Sequence, residues 1–507
     1  MLARQSVLIF TTRIANMLLN MVALYLVARH VGPAALGVVA ATTAFISLFG
    51  GFSDLGLTGA HGKRVSEGRD LAHCVGTYLL LKSILTVGAV LATVAVFVIR
   101  RSIGDDPGHP ETVAVFTLLV VASLVSLASD VTAWTFIGRR EVAKQVVPSF
   151  VGFTCTALAQ VLVALFAPTA TGLAAALLLG TAISAAFGVW LFRGYPIAWP
   201  RRSDIARYVT FAAPSALASI TSSAGGHLDK VIIEHFRGPT EVAYYYAAER
   251  FVNFLLLGPS ALAPILMPVL SLLHTQERSD DLRITTLRAE RFLSLLAAPL
   301  CAAVVVLAEP AVLLVFGSKF APAIDVLRVA GVLAYVYATI RPFQSLLLGI
   351  DRPDLFAKIT VVSVPISALL GVVFVSRGWM GLPGLGLGAV GAAWAVLLTN
   401  VGVAVATRLL CWRLLGIGVQ ASVARHIAAG VAAGLVVGAF YQLWPTKPAL
   451  AFVPFAALLG LLYLALLVAL RELSWEDVRL MLDAASPLRM QRYLRRELRG
   501  AAQPEAR

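Results

Sequence analysis

Two adjacent charged residues, Asp229 and Lys230, interrupt the stretch 215–236, which is otherwise small and apolar enough to cross a lipid bilayer. A charged side chain at the bilayer centre costs roughly 3 kcal/mol on insertion scales, so such residues face a helix-bundle interior or a water-filled path. The pair therefore predicts a membrane protein with a polar interior, in which a polar solute binds or through which it moves.

Other charged and amide residues lie within apolar stretches and are predicted to contact the same solute. These candidate substrate-binding residues are Arg13, Asn16, Asn20, Asp54, Asp130, Glu249, Arg250 and Arg341. The spacing of Arg13, Asn16 and Asn20, three and then four residues, places them on one face of a helix. Counted from the predicted cytoplasmic loops, Arg13, Asp54, Asp130 and Arg341 lie at similar depth, together with Lys82, and could form one inward-facing chamber.

Several of these residues have structural explanations that the sequence leaves open. Lys82 and Arg13 lie within two turns of the predicted interface, and their long side chains could snorkel to it. Asp54 precedes a Leu-Gly-Leu sequence and could cap a helix break. Arg341 precedes a proline, where a kink frees backbone carbonyls that a guanidinium could satisfy.

Ion pairs between helices are the alternative for the charges of the second half. Neighbours on a helix point about 100° apart, so Asp229 and Lys230 are expected to find partners on other helices or in water. Lys230 could instead meet Glu234 one turn later. Asp229 could pair with Arg250 and lock the seventh span to the eighth.

The composition predicts the elements that position these residues. The chain has 507 residues, of which 59% are hydrophobic and only 13% are charged, which excludes an ordinary soluble domain. A membrane-spanning helix needs about 20 apolar residues. Reading for such segments predicts an all-α polytopic protein with about fourteen spans, at 6–29, 36–60, 74–99, 112–137, 148–167, 170–192, 208–235, 241–273, 289–315, 326–349, 357–377, 385–407, 422–444 and 448–470.

The distribution of Lys and Arg predicts the orientation. Short cytoplasmic loops carry an excess of these residues, and the loops after even-numbered spans hold most of them. Both termini are therefore predicted to be cytoplasmic, in a cell or inner membrane, and the first span is predicted to be a true span rather than a cleaved signal peptide. The net charge of +14 then reflects topology and attraction to anionic lipids, not nucleic-acid binding.

No enzyme chemistry is predicted. The four cysteines, Cys74, Cys155, Cys301 and Cys411, are scattered on different spans and indicate packing residues rather than a redox or metal site. No His, Cys and carboxylate residues have metal-ligand spacing. The glycine-rich stretch 378–391 lacks the Lys-Ser/Thr ending of a phosphate loop and indicates close helix packing. We expect neither a metal nor another cofactor.

The chain contains a weak internal duplication. The sequence His30-Val31-Gly32-Pro33 after the first span resembles 235–239 after the seventh, and 138–144 after the fourth span resembles 349–358 after the tenth. In this register Arg13, Asn16 and Asn20 match Ser219, Ser222 and Gly226. Asp130 and Arg341 stand at equivalent places with opposite charges. Six spans per unit make the two halves parallel repeats.

The duplication predicts the domain organisation. It gives two six-helix lobes, residues 1–205 and 206–411, then two additional helices within 412–470 and a cytoplasmic tail, 471–507. In the tail, Ser474 and Asp477 resemble a capping box, and arginines alternate with leucines between 488 and 499. Such a basic amphipathic segment rests on anionic headgroups or docks a cytoplasmic partner.

Three short motifs resemble the Wzx-type polysaccharide flippases. They are Phe52-Ser53-Asp54-Leu55-Gly56-Leu57, Asp229-Lys230-Val231-Ile232-Ile233, and the Gly-Pro turn that leads into Tyr244-Tyr245-Tyr246-Ala247-Ala248. The resemblance implies the fold of the multidrug/oligosaccharidyl-lipid/polysaccharide exporters, in which two six-helix lobes face each other across a central cavity that the first and seventh helices line. It also implies transport of an isoprenoid-diphosphate-linked oligosaccharide to the outer leaflet, and places Asp54, Asp229 and Lys230 in or beside the cavity.

The residue types agree with that substrate. Sugars suit walls of Asn, Ser, Tyr and carboxylate, and a diphosphate suits arginine, for which Arg13 and Arg341 are the candidates. Asp229, Lys230, Glu249 and Arg250 would contact the glycan or form an outer gate. Asp54 or Asp130 could couple transport to protons or sodium. Polysaccharide polymerase machinery is a further expected partner. The alternatives are a drug or metabolite antiporter and a lipid II flippase of the same superfamily, or an integral-membrane enzyme, for which the short outer loops leave little room.

Overall fold

The structure, a computed structural model, describes residues 2–104, 108–379, 381–444 and 451–473, and it is almost wholly helical. The first part of the chain forms α1 (Leu2–His30), α2 (Pro33–Asp54), α3 (Leu57–Ser66), α4 (Leu71–Ser102), α5 (Thr112–Gly138), α6 (Val142–Phe166) and α7 (Ala170–Phe192). We call α1–α7 the N half.

The second part forms a longer series that we call the C half. It consists of α8 (Arg202–Arg237), α9 (Pro239–Leu255), α10 (Leu257–Thr275), α11 (Ser279–Val306), α12 (Ala308–Val315), a 3-10 turn (Ser318–Phe320), α13 (Ala323–Gly349), α14 (Pro353–Val375) and α15 (Gly388–Leu415). Two more helices follow, α16 (Ala421–Leu443) and α17 (Phe452–Ala469). The predicted capping box and basic stretch of the tail lie outside the described residues.

Helices occupy all fourteen predicted spans. Within the described residues, 12 helices are long and apolar enough to cross a membrane. The other two predicted spans are the seventh and the eighth. The seventh is α8, whose Ser, Gly and charged residues lower its hydropathy. The eighth is divided between α9 and α10, which meet at Leu256.

The second and ninth predicted spans are also divided. The second ends at Asp54 because Leu55 and Gly56 take positive φ angles of 44° and 83°, a left-handed conformation that stops a helix. The chain then resumes as α3. The ninth is divided at Leu307 between α11 and α12.

A small hairpin corrects the purely helical prediction. Strands β1 (Gly378–Trp379) and β2 (Leu382–Pro383) pair antiparallel between α14 and α15, with Gly378 opposite Pro383. The predicted close packing is found at Gly391, where an added Cβ would lie 2.5 Å from the Phe374 carbonyl oxygen. The glycine-rich stretch therefore forms a turn as well as a helix contact.

Each half packs mainly within itself. In the N half, α6 packs against α1 and α7, and α5 packs against α7. In the C half, α13 packs against α11 and α15, and α14 packs against α15 and α8. Helix α16 packs against α11 and α17. The cysteines are free thiols, and Cys74 and Cys411 are buried, in keeping with a packing role.

Helix α2 is the main contact between the halves, because it packs against both α8 and α9. The closest approach is at Gly37, where an added Cβ would lie 1.9 Å from the Pro239 carbonyl oxygen. At Gly51, an added Cβ would similarly lie 2.9 Å from the carbonyl oxygen of Ser219. Small residues on α2 thus allow the backbones of the two halves to come together.

Candidate functional site

Lys230 is the buried cation of a three-charge cluster on α8 and α9. Its Nζ lies 3.2 Å from a carboxylate oxygen of Glu249 and 3.5 Å from Oδ1 of Asp229. It also donates to the carbonyl oxygen of Gly226 at 3.1 Å. The predicted lock between the seventh and eighth spans is therefore present, but it joins Lys230 to Glu249 rather than Asp229 to Arg250.

Asp229 is held in place by two further groups. Its Oδ2 accepts a 2.5 Å hydrogen bond from the Tyr245 hydroxyl, and its Oδ1 accepts one of 2.8 Å from the Lys230 amide. Glu234, the alternative partner for Lys230, instead pairs with Arg100 of α4 at 2.9 Å. The Asp229 carboxylate is thus fixed in orientation while keeping lone pairs for a ligand.

A cavity of about 390 Å³ lies inside the C half, between α8, α13, α14 and α15, and we call it the C-half cavity. Asp229 and Arg341 line it, and they are the only charged residues among the described residues that do. The remaining polar lining is Thr221, Ser222, Tyr337, Thr360, Ser363, Ser367, Thr399 and Asn400. Its volume falls in the range of about 300–1,000 Å³ typical of small-molecule sites.

A second cavity of about 280 Å³ lies between the two halves, and we call it the inter-half cavity. Its polar and charged lining comes from five helices and consists of Asn20, Thr43, Thr156, Gln160, His227, Lys230, Tyr246, Glu249, Arg250 and Asn253. Arg250 stacks on the Tyr246 ring, with its Cζ 4.7 Å from the ring centroid, and has no ion-pair partner among the described residues. Asn20, Lys230, Glu249 and Arg250 of the predicted site therefore meet here.

A third cluster lies in the N half, on α2, α4 and α5. The Lys82 Nζ is 3.3 Å from Oδ1 of Asp54 and 3.4 Å from Oδ2 of Asp130. Lys82 is 4% exposed, so it does not snorkel to an interface as the sequence suggested. Asp54 also accepts hydrogen bonds from the amides of Gly56 and Thr58, so it caps the helix break and binds Lys82 at once.

The predicted inward-facing chamber is divided among separate places. Asp54, Lys82 and Asp130 come together, but Arg341 lines the C-half cavity, and Arg13 is among the lining residues of neither cavity. Arg13 is exposed, and on its face Asn16 has a buried Oδ1 that accepts no hydrogen bond from any described residue. No contact between Arg341 and the carbonyls near Pro342 is observed in the described residues.

Sequence reasoning missed the hydroxyl lining of the C-half cavity. Thr360, Ser363 and Ser367 on α14 have the same spacing of three and then four as Arg13, Asn16 and Asn20, and that periodicity could have identified them. Sequence reasoning also missed His61, which is buried between the hydroxyls of Tyr208, at 3.0 Å, and Thr135, at 2.9 Å. His61 ties α3 to α8 and α5, and no periodic pattern marks it.

The two cavities are suited to bind a polar solute inside the helix bundle. Both cavities present hydrogen-bonding groups inside an apolar helix bundle, and the described residues contain no group of three His, Cys, Asp or Glu placed to hold a metal ion. Residues 26–325 match the family model described as polysaccharide biosynthesis protein, which is more than half of the chain. The chain belongs to this family.

Three curated relatives agree with that membership, and each is 24% identical to this chain over the aligned residues. A protein named as the probable low-salt glycan biosynthesis flippase Agl15 of Haloferax volcanii aligns over 402 residues, 78% of this chain and 81% of its own length. The lipopolysaccharide biosynthesis protein WzxC of Escherichia coli aligns over 360 residues, 68% and 69% of the two chains. The succinoglycan biosynthesis transport protein ExoT of Rhizobium meliloti covers 66% of each.

Solved structures share the fold. The lipid II flippase MurJ in an inward closed conformation superposes with a TM-score of 0.74 at 12% identity, over 92% of this chain and 99% of that one. An inward-facing multidrug resistance MATE transporter has a TM-score of 0.66 at 17% identity, over 79% and 94%. At these identities the likeness concerns the fold alone. It confirms the expected exporter fold.

Proposed function

We propose that this protein is a flippase that moves an isoprenoid-diphosphate-linked oligosaccharide from the cytoplasmic to the outer leaflet for cell-surface polysaccharide biosynthesis. The observation that carries the proposal is the inter-half cavity, where polar side chains of α1, α2 and α6 face Lys230, Glu249 and Arg250 of the C half. A transporter needs such groups where two moving bodies meet. The names of the curated relatives support a glycan as the cargo.

The moving bodies would be the two predicted lobes, residues 1–205 and 206–411. Rocking of one lobe against the other would expose the inter-half cavity to each leaflet in turn. Helices α16 and α17 would accompany the second lobe through their packing on α11. Both termini would be cytoplasmic, in a cell or inner membrane. The tail would bind anionic lipids, and polymerase machinery would receive the flipped glycan.

Unpaired arginines would bind the diphosphate. Arg13 and Arg250 have no ion-pair partner in the described part of the chain, so their guanidinium groups are available to phosphate oxygens. Asn16 and Asn20 continue the face of Arg13 toward the inter-half cavity, which Asn20 lines. This path would lead the headgroup from Arg13 at the cytoplasmic entrance to Arg250. Arg341, for which the sequence predicts the same role, lies in the C-half cavity.

The decisive experiment is deletion of the gene in its own host. We expect the lipid-linked oligosaccharide to accumulate on the inner leaflet and the surface glycan to fall. An unchanged surface glycan without accumulation would contradict the proposal. Loss of resistance to a drug, or of its efflux, in the deletion strain would favour an antiporter. Accumulation of lipid II in that strain would favour a lipid II flippase.

Single variants then test the site. Arg250→Ala, Arg341→Ala and Asp229→Ala are expected to lower export while membrane abundance stays near that of the wild type. Arg328→Ala is the matched control, because Arg328 lies on the same helix as Arg341 but is outside both cavities and pairs with Asp325 at 2.7 Å. Lost abundance of the three site variants would instead indicate structural roles.

A further inference from the structure

Helix α8 separates two cavities of different chemistry. Asp229 lines the C-half cavity, and the next residue, Lys230, lines the inter-half cavity. Side chains of consecutive helical residues point about 100° apart, so one helix presents a carboxylate to one side and an ammonium group to another. The two cavities are adjacent across this wall.

The charges of the two linings differ. Among the described residues that line the inter-half cavity, the charged ones are Lys230, Glu249 and Arg250. Lys230 is compensated by Glu249 and Asp229, so the cation that the cavity offers to an anion is Arg250. The C-half cavity contains Asp229 and Arg341, whose formal charges cancel. Electrostatics therefore favours an anion between the halves and a neutral ligand inside the C half.

Four of the hydrogen-bonding side chains that line the C-half cavity already donate to the backbone of their own helices. The hydroxyls of Thr360, Ser363 and Thr399 donate to backbone carbonyls of their own helices at 2.8–2.9 Å, so their hydrogens are occupied. Asn400 likewise donates its amide to the Val396 carbonyl at 2.8 Å and keeps its Oδ1. What these four side chains offer to a ligand is their oxygen lone pairs and the second N–H of the Asn400 amide.

A ligand that suits this cavity is neutral and rich in hydroxyl donors. We propose that the C-half cavity is a sugar subsite, which binds one uncharged ring of the oligosaccharide while the inter-half cavity holds the diphosphate. This inference rests on the proposed function and assigns different parts of one substrate to different sides of α8. Asp229, fixed by Tyr245, accepts from a pair of sugar hydroxyls, and Arg341 donates to sugar oxygens from the facing helix.

The test uses two soluble probes on the purified full chain in lipid nanodiscs, without a glycoside detergent that would itself compete. One probe is a panel of methyl glycosides of glucose, galactose, mannose and N-acetylglucosamine, followed by saturation-transfer NMR. The other is inorganic pyrophosphate, followed by phosphorus line broadening. We expect at least one glycoside to receive saturation, and glycoside and pyrophosphate to bind together without competing.

Variants assign each probe to a cavity. Asp229→Asn is expected to weaken glycoside binding by about tenfold, as for loss of a charge-assisted hydrogen bond, and not to weaken pyrophosphate binding, because Lys230 at 3.5 Å then loses one of its two compensating carboxylates. Ser367→Trp, which fills the C-half cavity, should abolish the glycoside signal alone. Arg250→Gln should weaken pyrophosphate binding alone. Arg328→Ala should change neither, and each variant is first checked for a wild-type elution profile and melting temperature.

Three results would overturn the sugar subsite. They are saturation of no glycoside in the panel, loss of the glycoside signal in Arg250→Gln but not in Asp229→Asn, and competition between glycoside and pyrophosphate. If the C-half cavity held a sodium ion instead, sodium would raise the melting temperature of the protein and no glycoside would receive saturation. Asp229→Asn would abolish that rise in melting temperature, and Arg341→Gln would preserve it. If any of these occurs while gene deletion still blocks export, the subsite fails and the flippase function stands.

Discussion

Asp229 and Lys230 are adjacent in sequence, yet Asp229 lines the C-half cavity and Lys230 lines the inter-half cavity. The pair is also in contact, because the Lys230 Nζ is 3.5 Å from Oδ1 of Asp229. A ligand that draws on either charge therefore changes the field at the other cavity. This contact gives α8 a direct electrostatic link between the two places where we expect the substrate to bind.

Lys230→Met is expected to destabilise the protein. It leaves the Glu249 carboxylate without its cation at 3.2 Å. Breaking a fully buried pair on one side costs about 3–5 kcal/mol, and the loss is expected to be smaller here because the Glu249 side chain is 35% exposed to solvent. The double variant Lys230→Met/Glu249→Gln should recover part of the loss, because no carboxylate is then stranded on α9. Thermal unfolding of the purified proteins measures both. Equal melting temperatures for the single and double variants would show that the Lys230–Glu249 pair is not the source of the stability.

The N-half cluster predicts unequal effects of its members. Lys82→Met leaves two carboxylates, Asp54 and Asp130, facing each other without the cation that lies 3.3 and 3.4 Å from them. Asp130→Asn keeps the Lys82–Asp54 pair. We therefore expect Lys82→Met to lower export and membrane abundance severely, and Asp130→Asn to preserve abundance. Immunoblotting of membranes measures the abundance of each variant, and surface-glycan staining measures its export. An Asp130→Asn variant that is less abundant than the Lys82→Met variant would contradict the prediction.

The fold was largely predictable because hydropathy and length act locally. Each predicted span contains helix, and the polar stripe of the seventh span was identified from its periodicity. The Leu-Gly-Leu sequence after Asp54 indicated a helix break at Leu55 as one alternative, whereas the break at Leu256 was not predicted, since the sequence remains apolar across it. The Leu55 break depends on a left-handed backbone that Asp54 supports through the amides of Gly56 and Thr58.

The site was less predictable because depth does not specify neighbours. Lys82, Arg13 and Arg341 are predicted to lie at comparable depths, but the first is enclosed by two carboxylates, the second is exposed and the third lines a cavity in the other half. Which helix faces which is decided by packing over the whole bundle. Residue type alone therefore overestimated snorkelling for Lys82.

The Arg100–Glu234 pair is expected to hold the bundle closed at the end that the predicted topology places outside the cell. It joins α4 of the N half to α8 of the C half at 2.9 Å, and Glu234 is 8% exposed. Glu234→Gln should weaken this contact and increase access from outside. In cells, labelling of Asn253→Cys by a membrane-impermeant maleimide should rise when Glu234→Gln is added.

The matched control for that experiment is Asp325→Asn with Asn253→Cys, since Asp325 pairs only locally with Arg328 on α13. It should leave labelling at the level of Asn253→Cys alone. Equal labelling with and without Glu234→Gln would show that the Arg100–Glu234 pair does not limit access.

Gly37 is expected to be the position on α2 least tolerant of a side chain. A Cβ there would lie 1.9 Å from the Pro239 carbonyl oxygen, which is backbone and cannot rotate away, so Gly37→Ala must separate α2 from α9. Overpacking of this kind costs about 1–3 kcal/mol. Gly88→Ala on α4 is the matched control, because nothing lies within 4 Å of its added Cβ and alanine favours a helix by up to about 1 kcal/mol over glycine. Thermal unfolding should therefore show a lower melting temperature for Gly37→Ala and an equal or higher one for Gly88→Ala. Equal melting temperatures for Gly37→Ala and the wild type would mean that the two halves are free to move apart at this contact without loss of stability.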